Sequence, residues 1–242
     1  MNVVAPQIND LWVYLSTTPL LGLTVTLLAY QAAWWIHRRS GSSPLANPVM
    51  IAVAALVALL AISGTSYQTY FDGAQFVHFL LGPATVALAV PLYTQFRRVR
   101  AMMLPVIAGL LVGSFTAAVS AVLVARLFGA SLVTQLSLAP KSVTTPIAMG
   151  VAERIGGIPS LTAVLVISTG ILGAVLGRYL FDALRIDDAA IRGFATGVTA
   201  HGIGTARAFQ ESEQAGAFAA LAMGMNGLVT ALLLPMFLPL LQ

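Results

Sequence analysis

The sequence predicts an all-α polytopic membrane protein of about eight transmembrane segments, three of them interrupted, with a candidate internal repeat. Three observations carry this. Of 242 residues, 58% are hydrophobic and only 8% charged, and the mean hydropathy is +0.90. Soluble domains carry roughly 25% charge, so an ordinary water-facing surface cannot be built from this composition. Four stretches, 40–71, 101–125, 155–177 and 214–242, contain no Asp, Glu, Lys or Arg. Each is long enough for the ~20 residues that cross a hydrocarbon core as helix. Strict apolar–polar alternation is absent and Ala and Leu dominate, which argues against a spanning barrel.

The segments follow in order at about 17–36, 47–65, 74–95, 101–125, 131–151, 159–181, 189–210 and 214–240, placed by the ~20-residue rule. A short amphipathic piece, 9–16, is expected at the interface with Trp12 and Tyr14 as anchors. Residues 1–242 read as a single transmembrane domain. Arg38 and Arg39 follow the first segment, and Arg97, Arg98 and Arg100 the third. By the positive-inside bias these are cytoplasmic, with Arg154 and Arg207 on the same side and both termini outside. Arg126, Arg185, Asp182, Asp187 and Asp188 then fall on the opposite face.

The net charge of +4 and the pI near 9.9 come from this loop bias. They do not point to nucleic acid. Cysteine is absent, which excludes disulfides and thiol chemistry. The chain carries neither a G-x-S-x-G elbow nor a Walker A motif. Its three histidines, His37, His78 and His201, lack metal-binding spacing. No catalytic residue, metal or cofactor is expected.

Three segments are broken. The third has Gly82-Pro83 and Pro91, the fifth Pro140 and Pro146, and the seventh Gly193, Gly197, Gly202 and Gly204. Proline removes a backbone donor. Freed backbone groups persist at membrane depth only against protein or a wet cavity. Pro83, Pro140 and Gly197 are spaced by 57 residues; so are Gly113, Gly170 and Gly227, Ala117, Ala174 and Ala231, and the hydroxyls Thr85, Ser142 and Thr199. Repeat units of 74–130, 131–187 and 188–242 follow, each a broken helix and then a small-residue helix suited to close packing. Such repeats are typical of secondary transporters.

Lys141 is the chain's only lysine and lies ten residues from either end of the fifth segment. A charge at that depth costs several kcal/mol. Ser142, Thr144 and Thr145 stand beside it, and a helix restarting at Thr145 or Pro146 aims its amides at the same region. Ammonium, hydroxyls and a helix N-terminus together form an anion site. The alternative is a lysine snorkelling to water from an interface. His201, in the glycine-rich break of the seventh segment, is either a ligand or proton carrier or a structural cap on freed carbonyls. Arg207 is a substrate ligand or an edge anchor, the anchor being favoured. Asn226 is an isolated amide, worth about 1 kcal/mol to a neighbouring helix.

Leu80 through Tyr93, Pro140-Lys141-Ser142-Val143-Thr144-Thr145-Pro146-Ile147-Ala148, Gly156 through Ala163, and Gly193 through Glu211 with its core Ala200-His201-Gly202-Ile203-Gly204-Thr205-Ala206 resemble signatures of the LrgB/CidB family. The likeness runs from about Asn9 to the last residue. It implies one of two roles in the bacterial cell membrane. The first is transport of a small 2-oxo or 2-hydroxy monocarboxylate such as pyruvate, glycolate or glycerate, by analogy with pyruvate-linked members and the plastid glycolate/glycerate translocator. The second is antiholin-like modulation of murein hydrolases and lysis. An LrgA/CidA-like membrane partner or a homo-oligomer is implied in either role. In the first, Lys141 pairs with the carboxylate and Ser142, Thr144 and Thr145 donate to it. Thr85, Thr199, His201 and Thr205 complete the site.

Overall fold

The computed structural model describes residues 19–237, and among them every regular element is helical. The expected interfacial piece 9–16 lies outside the described residues. Two compact units divide between Ala87 and Leu88.

The first unit holds α1 (Pro19–Arg39), a short 3-10 turn (Pro44–Ala46), α2 (Pro48–Ser63) and α3 (Tyr67–Ala87). Gly22 brings α1 against the backbone of α3, where a Cβ would lie 2.7 Å from Tyr70 O. Thr26 and Tyr70 share a 2.7 Å hydroxyl contact there. Asn47 caps α2 by accepting from Val49 N and Met50 N, with Pro48 in the first turn, where its missing amide is no loss. The third segment is interrupted as expected, but at Leu88, between Ala87 and the helix that starts at Ala89, rather than at Gly82-Pro83. α3 runs through Pro83 to Ala87, at the expense of one hydrogen bond rather than the helix.

The second unit holds α4 (Ala89–Thr94), α5 (Phe96–Ala101), α6 (Met103–Leu127), α7 (Leu132–Leu138), α8 (Thr145–Ile155), α9 (Pro159–Ala183), α10 (Ala189–Glu211) and α11 (Glu213–Phe237). Among the described residues, α6, α9 and α11 are the helices long and apolar enough to cross a membrane. Large side chains such as Leu104, Val112, Leu172 and Leu232 stand exposed along them, as a lipid-facing surface requires.

The fifth and seventh expected segments do not run straight through; each doubles back. Over a straight helix Gly157 would stand about 30 Å from Ser137. Instead Ile158 N donates to Ser137 Oγ at 2.8 Å, and Thr162 Oγ1 donates to Ser137 O at 2.9 Å. A Cβ on Gly157 would meet Ser137 N at 2.9 Å. Val151 joins Leu136, Ala139 and Val122 in one core cluster. α7 and α8 are therefore the arms of a hairpin, with 139–144 as its tip. In α10 the reversal falls at His201, which takes φ 41° and ψ −132°. Thr196 and Gly204 would stand about 12 Å apart in a straight helix. A Cβ on Gly204 would instead lie 2.8 Å from Thr196 Cγ2. Residues 189–200 and 202–211 are the arms of a second hairpin.

The two hairpins enter from opposite ends. α6 leads from Met103 to Leu127, and the first hairpin leaves and returns at that Leu127 end. α9 then carries the chain back to the Arg98 end, where the second hairpin begins and ends. Arg98 Nη2 bonds Asp188 Oδ2 at 2.6 Å there, and Arg192 bonds Asp182 at 2.5 Å. Asp188 also caps α10 by accepting from Ala190 N and Ile191 N. The Ile191 amide, then the Ala190 amide and Arg98, hold this carboxyl below its usual range. Asp182, Asp187, Asp188 and Arg185 thus share an end with Arg98, contrary to the expected opposite face, and Arg154 moves to the other end. The reason is parity: a hairpin returns to the face it left, so counting it as a crossing inverts every loop until the second hairpin restores the count.

Small residues let these elements meet. Gly193 and Gly197 bring the incoming arm against Ala215 and Ala219 of α11, where a Cβ would collide with backbone carbonyls. Each long helix also turns a glycine to a hairpin. A Cβ on Gly170 of α9 would lie 2.7 Å from the His201 ring, one on Gly227 of α11 2.9 Å from Ile147, and one on Gly113 of α6 3.1 Å from Val198.

Candidate functional site

Pro140 and Pro146 shape the first tip. Lys141 N donates to Leu138 O at 3.0 Å and Val143 N to Pro140 O at 3.3 Å, closing two tight turns. α8 then restarts at Thr145, with Pro146 in its first turn. Among the described residues the amides of Ser142, Thr144, Thr145 and Ile147 carry no hydrogen bond, nor do the hydroxyls of Thr144 and Thr145. These donors surround the start of an 11-residue helix, whose dipole favours negative charge.

The second tip is strained, because a non-glycine residue at positive φ costs roughly 1–2 kcal/mol. Three contacts hold it. His201 Nε2 donates to Val166 O at 3.0 Å, Thr205 Oγ1 donates to His201 O at 2.7 Å, and Gly170 leaves room for the ring. A carbonyl only accepts, so Nε2 carries the proton and Nδ1 is the position left to exchange one. His201 is 4% exposed.

Val166 links the tips, since Val143 of the first packs on the same residue that His201 binds. Asn226 of α11 ties them more firmly. Its Nδ2 donates to Ser142 O at 3.0 Å in one tip and to Val198 O at 2.9 Å beside the other. Its Oδ1 accepts from Ser114 at 2.6 Å and Thr230 at 3.3 Å. Asn226 is 1% exposed. The carbonyls of Ser142, Val198 and His201 are thus met by donors of the chain, while the amides of Ser142, Thr144, Thr145 and Ile147 at the first tip are left over.

Lys141 completes the junction. Its Nζ donates to Ser142 Oγ at 3.1 Å. Among the described residues it has no carboxylate partner. A half-buried ammonium without a counter-charge, beside unused amides and hydroxyls, is suited to a small carboxylate.

The structure brings Lys141, Ser142, Thr144, Thr145 and His201 to this junction. Thr205 lies one turn from His201 with its hydroxyl committed to the tip carbonyl. Thr199 is exposed and donates to Ala195 O within its own helix, so it does not reach the site. Thr85 sits on α3 with its side chain outside the described residues. In the sequence Asn226 is a lone amide in a long apolar segment; that it bridges two breaks emerges only from the fold. An open cleft of about 390 Å³ between α6 and α11, lined by Leu111, Phe115 and Leu233, is almost wholly apolar and offers an anion nothing.

Residues 26–240 match the LrgB-like family. The chain is 37% identical over 221 residues to the uncharacterized protein YwbG of Bacillus subtilis (strain 168), covering 90% of this chain and 97% of that one. It is 30% identical over 222 residues to the antiholin-like protein LrgB of Bacillus mycoides (strain KBAB4), covering 92% and 96%. The antiholin-like protein LrgB of Bacillus cereus (strain B4264) matches to the same extent. No solved structure matches.

Proposed function

From the premise that the chain belongs to the LrgB-like family, we propose that it is a membrane transporter, or the transport subunit of one, for small 2-oxo or 2-hydroxy monocarboxylates such as pyruvate, glycolate or glycerate. The observation that carries this is the junction of two opposed hairpin tips around an unpaired Lys141. Unwound backbone and a lone cation are expensive at membrane depth. Opposed broken helices with free N-terminal amides are how secondary transporters receive anionic groups. Lys141 and the Ser142, Thr144 and Thr145 donors take the carboxylate, and His201 closes the site from the second tip. No bond of the solute is broken, so the role is not enzymatic.

The same reading gives a multi-pass protein of the bacterial cell membrane. α6, α9 and α11 cross it, and the two hairpins dip in from either face in place of two of the eight expected crossings. The Arg98 end, with Arg97, Arg98, Arg100, Arg185 and Arg192, is cytoplasmic by the positive-inside bias. The 57-residue spacing is read as an inverted repeat of hairpin plus helix within one transmembrane domain. The glycines at 170 and 227, each facing the other unit's hairpin arm, support it. An LrgA/CidA-like membrane protein or a second copy is the natural partner.

A second reading follows from the relatives' names, two of which are antiholin-like and none of which names a carried solute. In it the protein restrains murein hydrolase activity and lysis by assembling with a holin-like protein. The names favour this role and the junction favours transport. Uptake of labelled pyruvate and glycolate into proteoliposomes of the purified protein separates them. Saturable uptake above empty liposomes is expected. No uptake, together with altered lysis in cells lacking the protein, would leave the second reading standing.

A further inference from the structure

The second hairpin buries another cation. Arg207, on the returning arm, is 9% exposed, so it is not an anchor at the membrane edge. It lies six residues from His201, about 9 Å along the arm towards the Arg98 end. It lines a narrow polar cleft of about 10 Å³ between the hairpin and α9, room for about one water while Glu211 stays in place, with Gly173, Gly177, Arg178, Thr196 and Glu211. Of its five N–H donors, Nη1 meets Gln210 Oε1 at 3.0 Å. Its Nε is buried without a hydrogen-bond partner among the described residues. Glu211 Oε1 stands 3.7 Å from that Nε, near enough to attract and too far to hydrogen-bond. A buried guanidinium left short of acceptors is costly. The one carboxylate beside it belongs to a half-buried side chain at the mouth of the cleft.

We propose that Arg207 and this cleft are a second carboxylate station, loaded from the Arg98 end before the solute reaches Lys141, with Glu211 competing for the same guanidinium. This rests on the transport reading above. Arg207 presents a planar fork that matches a carboxylate in two-point contact. Gly173 lets α9 close on Ala200 of the hairpin, Arg178 and Phe181 complete that wall, and the Thr196 hydroxyl is held by Arg192 O at 2.7 Å. Glu211 is displaced as the solute arrives and returns when it moves on.

Side-specific uptake in right-side-out and inside-out vesicles tests this. Arg207→Gln is expected to raise the KM for pyruvate at least tenfold from the Arg98 end and to leave it within twofold from the other. Glu211→Gln is expected to lower the KM from the Arg98 end, since it removes the competitor. Arg207→Lys, with the charge kept and the fork lost, falls between and serves if the glutamine variant does not fold. A merely structural ion pair predicts equal effects from both ends and the same sign for both variants; either result overturns the station. Calorimetric titration of Lys141→Ala with pyruvate is a separate readout. Weak binding is expected to remain and to vanish on adding Arg207→Gln. Absence of binding to Lys141→Ala also overturns the station, whereas binding without wild-type uptake overturns the transport reading alone.

Discussion

Asn226→Leu is expected to lose both stability and uptake. Leucine has nearly the same volume and suits an apolar helix, so a small effect would be normal at a lipid-facing position. Here four hydrogen bonds disappear together. At the ~0.6 kcal/mol average for interhelical bonds in membranes the loss is about 2 kcal/mol. The carbonyls of Ser142 and Val198 are left buried without a donor, which adds on the order of 1 kcal/mol or more each. A drop of about 2–4 kcal/mol is expected, visible as a lower Tm by size-exclusion thermal melting, with uptake at background. Asn226→Asp should be worse, because a carboxylate offers those carbonyls no donor and adds a charge. A leucine variant that melts and transports like the wild type would mean the tips are held by something else.

Lys141→Ala should behave differently. Removing a half-buried ammonium that has no carboxylate partner among the described residues relieves a desolvation penalty, so the unliganded protein should melt at or above the wild-type temperature. Uptake should fall at least about 100-fold, since losing one charged partner of a desolvated pair costs about 3 kcal/mol or more and 1.4 kcal/mol is tenfold. Lys141→Arg, which keeps the charge on a larger planar group, should retain partial activity. The contrast between Asn226, which supports fold and function, and Lys141, which supports function against the fold, is the signature of a built site. Equal losses of stability in both variants would make Lys141 an ordinary structural residue.

The helical class and the broken fifth and seventh segments are legible in the sequence because proline and glycine punctuate apolar runs. The reversal of the chain is not. A seven-residue arm, a six-residue tip and an 11-residue arm together have the length and hydropathy of a crossing, and neither property records direction. The face assignments of Asp182 and Asp188 failed for the same reason. Lys141 stands out as the sole lysine within an apolar stretch. The outward turn of Thr199 is not legible because the incoming arm's facing is set by a long-range contact, Gly193 and Gly197 on Ala215 and Ala219 of α11. Gly82-Pro83 misled because proline's cost is paid locally when the surrounding helix can bend around it.

The chain has no cysteine, so Thr144→Cys places a single thiol among the free donors of the first tip. Its rate of reaction with a methanethiosulfonate bearing an ammonium group, in reconstituted protein with and without pyruvate, probes the junction itself. A wet anion site predicts ready labelling that pyruvate slows at least fivefold and that an equal concentration of chloride leaves nearly unchanged. A thiol that never reacts, or that reacts at the same rate with the carboxylate present, would contradict it.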